Sequence, residues 1–280
     1  GAIPYTDIIG KVIRPGHRGR FFGGKEALAG PLAVGATLVA RRILANVGYP
    51  DNYALLFGLA AAGLAVASLG FLVMREPPRE DAPGHPVPWR DYWAQLGSTA
   101  HSVKTLVIVQ LLTGFSLMAL PFYVVYARDE LGAPSGAVGW FLFVQVTGGV
   151  LANLVWARLV DHSGSRTMLT ACALTSLTAP LLAIALAPLG WMGMLPTFFL
   201  AGAAFNGRSV GFQSALLELA PAAERPTFAA MNAVLVLPVA VLPLLAGLLL
   251  RHWPYGLLFA FVAVFIALGA VWTRRLPAQI

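Results

Sequence analysis

The sequence predicts an all-α membrane protein, a polytopic bundle of about eight transmembrane helices, and three observations predict it. Hydrophobic residues make up 58% of the chain and charged residues only 11%, with a mean hydropathy of +0.74, too apolar for a surface that faces water. The charges cluster between apolar runs of about 20 residues, the length needed to cross a hydrocarbon core of about 30 Å at 1.5 Å per residue. None of these runs alternates with period two, which removes a transmembrane β-barrel.

In chain order the predicted spans are Phe21 to Ala45, Tyr53 to Met74, Thr105 to Tyr126, Gly136 to Ala157, Thr167 to Ala187, Trp191 to Gln213, Thr227 to Leu250 and Trp253 to Thr273. Gly1 to Ile13 is too short to cross a bilayer and reads as the tail of an earlier helix, so the sequence is expected to lack an N-terminal part. Three regions follow: 1–74, the remainder of an N-terminal half-bundle; 75–104, a cytoplasmic linker; and 105–280, a C-terminal six-helix half-bundle. The linker opens with Pro77, Pro78, Pro83, Pro86 and Pro88, which prevent a helix. Its later part spaces Trp89, Tyr92, Trp93 and Leu96 along one apolar face, fitting either a helix on the membrane surface or one packed on the bundle.

Lysines and arginines set the orientation, because basic flanks stay on the cytoplasmic side during insertion. Arg41, Arg42, Arg128 and Arg251 fall on one side, which leaves 15 of the 19 basic residues on the other and places the C-terminus in the cytoplasm. Arg41 and Arg42 are read as snorkelling from a helix end. Trp140, Trp191, Trp253 and Trp272 stand near span ends, where amphipathic rings favour the headgroup layer. The net charge of +7 forms no continuous basic tract, so nucleic acid is not an expected partner. Cys172 is the single cysteine and allows neither an intramolecular disulfide nor a cysteine zinc cluster. No cleavable signal pattern opens the chain.

An internal repeat carries the architecture further. Tyr53-Ala-Leu-Leu-Phe57 and Tyr255-Gly-Leu-Leu-Phe259 each begin a helix. Each follows a helix entered through a Pro-Arg loop, Pro15 with Arg18 and Pro221 with Arg225. Each helix pair ends in a basic cluster and a proline, Arg75-Glu-Pro77 and Arg274-Arg-Leu-Pro277. Duplicated units are common in transporters. Completing the first unit to match the second predicts twelve helices in two halves and about 100 further N-terminal residues.

Between the fourth and fifth spans runs Ala157-Arg-Leu-Val-Asp161-His-Ser-Gly164-Ser-Arg166. This segment is similar to the Gly-x-x-x-Asp-Arg-x-Gly-Arg-Arg loop of the major facilitator superfamily, matching at Asp161, Gly164 and Arg166 and departing at Ala157, His162 and Ser165. The loops at Arg18 and at Pro221 to Arg225 also resemble loops of that family. The resemblance covers the chain read as helices five to twelve. It implies a secondary transporter that moves a small solute by alternating access, with Asp161, Gly164, Arg166, Arg18 and Arg225 in gating loops. It further implies a multi-pass monomer of a plasma membrane, a bacterial inner membrane in particular. On physical grounds alone, Gly164 permits a tight turn, Asp161 can accept hydrogen bonds at a helix end and Arg166 can bridge to a neighbouring helix. A plain charged loop that anchors topology is the alternative.

Polar groups at membrane depth are costly unless paired or facing a cavity, which makes them site candidates. Gln145, Gly149 and Asn153 share a helix face. Gln110 and Thr113 lie on the third span, Asn206 and Arg208 on the sixth and Asn232 on the seventh. Each amide reads either as lining for a solute pathway or as an interhelical hydrogen bond. Pro180, Pro238 and Pro243 are expected to kink their helices, and Gly30, Gly35, Gly148, Gly149 and Gly202 to allow close helix approach. No carboxylate lies at mid-span after residue 104, so a coupling proton or cation would need other helices. The competing functions are a membrane-embedded enzyme and a non-transporting receptor or scaffold. Gly207-Arg-Ser209-Val-Gly211 matches Gly-x-Ser-x-Gly in letters only, since it falls within a span. No metal, cofactor or catalytic residue is expected, and the absence of a phosphate-binding loop argues against an ATP-driven pump.

Overall fold

The described residues of the computed structural model are 18–73, 101–219 and 225–277, and every regular element among them is helical. The chain divides into two compact units, Gly1–Gln95 and Leu96–Ile280. The linker expected at 75–104, with its Trp89 to Leu96 face, lies through residue 100 outside the described residues.

The first unit contains α1 (Arg18–Asn46) and α2 (Asp51–Val73). Asp51 sits in the first turn of α2, where a carboxylate complements the helix dipole. Seven described helical segments are long and apolar enough to cross a membrane, and α2 supplies the first. Helix α1, expected as a span, is not among the seven. Lys25 and Glu26 near one end and Arg41 and Arg42 near the other leave an uninterrupted apolar stretch from Ala27 to Ala40. Gly35 was expected at a close helix contact, yet a Cβ there would meet nothing within 4 Å.

The second unit begins with α3 (His101–Asp129), followed by α4 (Ala137–Ala185), a 3-10 segment (Ala187–Gly193) and α5 (Met194–Leu219). It ends with α6 (Arg225–Leu235), α7 (Pro238–Leu249), α8 (Tyr255–Trp272) and a closing 3-10 turn (Thr273–Arg275). Two of these differ from the predicted spans. The fourth and fifth spans run together as α4, interrupted by the non-helical Gly164 at φ 77° and ψ 166°, a backbone region that only glycine adopts freely. The seventh span is split. Pro238 has no N–H for the carbonyl of Val234, which instead accepts from Leu237 at 3.2 Å, and helix α7 restarts with Pro238 at its first position. Pro180 and Pro243, expected like Pro238 to kink their helices, lie inside helices that continue past them.

Two faces of α8 explain the packing. Leu258, Phe259, Val262, Ile266 and Gly269 are buried, whereas Leu257, Val264, Leu268 and Val271 are exposed. The buried face joins a core in which Tyr123 of α3 packs on Phe259 and Phe141 of α4 stacks on Phe198 of α5 at 4.3 Å. Exposed leucines on α4 (Leu151, Leu154) and α7 (Leu244, Leu248) continue the outer face. In water so much apolar surface would drive association; against lipid tails it is the solvated surface.

Candidate functional site

Helix α5 carries Asn206 and Arg208, and it meets the first limb of α4 and α3 by different means. On one side the first limb of α4 (Ala137–Val160) approaches so closely that a Cβ on Gly202 would collide with the carbonyl of Gln145, and one on Gly148 with the carbonyl of Phe199. A Cβ on Gly149 would stand 2.7 Å from Asn206 Nδ2. Trp156 Nε1 donates to the carbonyl of Ala203 at 2.9 Å across the same seam. Gly148, Gly149 and Gly202 therefore act as the sequence indicated. The face bearing Gln145 and Gly149 is spent on helix contact, with Asn206 beside it. Asn153 is one turn further along, its Oδ1 buried without a hydrogen-bond partner.

On the other side α5 faces α3. Arg208 is 9% exposed. Its Nη1 donates to Thr113 Oγ1 and its Nη2 to the backbone carbonyl of Gln110 at 3.2 Å. The Phe212 ring centroid lies 5.2 Å from Cζ, close enough for a cation–π contact. Thr113 is self-consistent as an acceptor here, because its own hydroxyl donates to Val109 O at 2.7 Å. Both acceptors of Arg208 are neutral, and among the described residues no carboxylate pairs with it. The side-chain Oε1 of Gln110 is buried and without a partner.

One turn along the bundle from Arg208 lies a cavity of about 20 Å³ between α3, α5 and the second limb of α4 (His162–Ala185). Ser116, Leu120, Tyr123, Ser176, Ala204 and Phe205 are among its lining residues. The register is helical on all three elements: Ser116 follows Thr113 by three, Ser176 follows Cys172 by four, and Ala204 precedes Arg208 by four. The sequence analysis missed Ser116, Tyr123 and Ser176. The first two were within reach, since steps of three and four from Gln110 through Thr113 lead to them.

The six pathway candidates therefore divide. Gln110 and Arg208 meet, Gln145 and Asn206 stand at the α4–α5 seam with Asn153 beyond them, and Asn232 of α6 shares no hydrogen bond with the others among the described residues.

The Gly164 turn forms a second cluster at the end of the bundle. Ser165 Oγ donates to Glu218 Oε1 at 2.8 Å, tying the turn to the end of α5. Arg166 Nη2 donates to the carbonyl of Arg274 at 2.9 Å, and the Thr170 and Thr273 hydroxyls lie 2.8 Å apart. Arg166 thus bridges to the 3-10 turn that closes α8 by donating to one of its carbonyls, a favourable place for a cation. Ser165, a departure from the family pattern, is a working contact here. The side chains of Asp161, Arg18 and Arg225 lie outside the described residues; α1 starts at Arg18 and α6 at Arg225.

Residues 106–279 match the Major Facilitator Superfamily. The chain belongs to that family. It is a multi-pass membrane protein and a transporter of the major facilitator type. A comparison with curated proteins found no match. The Gly207 to Gly211 segment is continuous helix within α5. A Cβ on Gly207 would stand 2.9 Å from Cys172 Sγ and one on Gly211 2.6 Å from Met168 Sδ. These glycines serve helix packing, and the strand-turn-helix of a nucleophile elbow is not formed.

Proposed function

We propose that this major facilitator protein is a secondary transporter that carries a small solute by alternating access, with α3, α5 and the second limb of α4 lining part of its route. The observation that carries this reading is the buried Arg208 layer stacked one turn from the Ser116 and Ser176 cavity. Polar groups held at membrane depth beside a cavity are what a solute site requires. The cavity accommodates about one water, so a solute would enter only as helices separate. The Gly164 cluster, where Ser165 and Arg166 hold the ends of α5 and α8, supports a gate at that end of the bundle. Such a gate would open by exchanging these hydrogen bonds during rocking of the bundle. In this reading the protein works as a monomer in a plasma membrane, a bacterial inner membrane, with its C-terminus in the cytoplasm. No carboxylate lies at mid-span after residue 104, so any coupling proton or cation binds elsewhere.

Side-specific labelling tests the mechanism. A cysteine at Ser116, introduced in a Cys172→Ala background, should react with a membrane-impermeant maleimide from each face in turn, and solute should shift the balance between faces. Simultaneous reaction from both faces would mean a continuous pore. Protection from both faces under every condition would remove the site from the transport route.

A further inference from the structure

We propose that Arg208 is the binding group for an oxyanion carried on an apolar body, so that the solute of this transporter is an organic anion; this inference rests on the transport reading given above. A guanidinium offers five N–H donors, and only two are engaged, by Thr113 Oγ1 and the Gln110 carbonyl. Three donors and a whole positive charge remain without an anionic partner among the described residues. A carboxylate or phosphate group is the ligand that satisfies a planar fork of parallel donors. Neutral acceptors hold the side chain in place without neutralising it, so the charge stays free for a solute. Gln110 adds a carboxamide on the same turn of α3, whose Oε1 has no partner.

The neighbouring surface selects what the anion is attached to. One turn away, the cavity is walled by Leu120, Tyr123, Ala204 and Phe205, with Ser116 and Ser176 as its hydroxyl groups. Apolar and aromatic walls with two hydroxyls suit a small hydrophobic or aromatic body rather than a sugar, which would demand many more polar partners. The acidic head belongs at Arg208 and the body in the space that opens at the cavity as the helices separate. Phe212 lies one turn from Arg208 on the side away from the cavity, its ring centroid 5.2 Å from Cζ.

The test uses the full chain purified in detergent micelles, with thermal unfolding followed by tryptophan fluorescence. Benzoate should raise the unfolding midpoint and its neutral isostere benzamide should not. Arg208→Gln should weaken the benzoate response at least tenfold, and Arg208→Lys should retain part of it. In parallel, phosphatidylglycerol against diacylglycerol, which has no phosphate, asks whether the oxyanion belongs to a lipid. A phosphatidylglycerol response that Arg208→Gln removes, with none to benzoate, supports the same chemistry with a lipid headgroup as its source. The proposal is overturned if neither anion exceeds its neutral counterpart, a comparison that stands on the unaltered protein even where Arg208→Gln does not fold. It is equally overturned if Arg208→Gln responds as the original does. Uptake into proteoliposomes separates this inference from the transport reading. Benzoate binding through Arg208 without any uptake sustains the assignment and defeats transport. Uptake of a solute that is indifferent to both Arg208→Lys and anionic competitors sustains transport and defeats the assignment.

Discussion

A guanidinium at the centre of a spanning helix costs on the order of 3 kcal/mol by insertion measurements, and the two hydrogen bonds that Arg208 makes are to neutral acceptors. Interhelical hydrogen bonds in membranes contribute about 0.6 kcal/mol each, so the pair does not offset that cost. Removing the charge also leaves no stranded donor, because Thr113 already donates to Val109. Arg208→Met, close in length and without charge, should therefore leave the unfolding midpoint unchanged or raise it while abolishing solute uptake. A large fall in the midpoint would instead make Arg208 a structural clamp. Asn153 yields a related expectation. Its Oδ1 is buried with no partner, and an unsatisfied amide costs about 1–3 kcal/mol. Asn153→Leu should hold or raise the midpoint, and a drop in uptake at equal abundance would mark the amide as functional. The sequence placed these polar residues at membrane depth but treated Asn206 and Arg208 together. Two positions along a helix turn the side chain by about 200°, so they serve opposite seams, a distinction legible from the helical period alone.

At the level of elements, α5 and the first limb of α4 depend on residues that have no side chain. Gly202→Ala would place a methyl group on the carbonyl of Gln145, and the backbone cannot yield without parting the helices. Overpacking of this kind costs about 1–3 kcal/mol, and the unfolding midpoint should fall by several degrees. Gly35→Ala, with nothing within 4 Å, should be neutral or slightly stabilising because alanine favours helix, and the contrast between the two is the check. At the α4 turn, Gly164→Ala forces a side chain into a φ of 77° and ψ of 166°, at about 1–3 kcal/mol. Uptake should fall with it if the turn also gates. Sequence reasoning located Gly164 because glycine is the residue that tolerates such a backbone. It could not tell which prolines break helices. Pro238 does and Pro180 and Pro243 do not, since that outcome depends on how neighbouring turns rearrange their hydrogen bonds. Nor did apolar run length anticipate that the fourth and fifth spans would join with so little loop between them.

For the whole molecule, hydropathy alone located seven of the eight expected spans, because hydrocarbon imposes a length on every crossing segment regardless of its neighbours. The choice of partners was not legible, since lipid-facing and protein-facing leucines are chemically alike; α8 divides Leu257 from Leu258 only through packing. Topology is open to a direct check. A green fluorescent protein fused after Ile280 should fluoresce and an alkaline phosphatase fused there should be inactive, as the excess of basic residues predicts. An active phosphatase would invert the orientation. The contact of α5 with the first limb of α4 has one more consequence. Where Gly148 and Gly202 bring two backbones together, not even a water molecule passes, so this pair forms a watertight wall. In the proposed route a solute would therefore pass on the opposite flank of α5, where Arg208, Ser116 and Ser176 follow one another at helical spacing beside an aromatic-lined hollow.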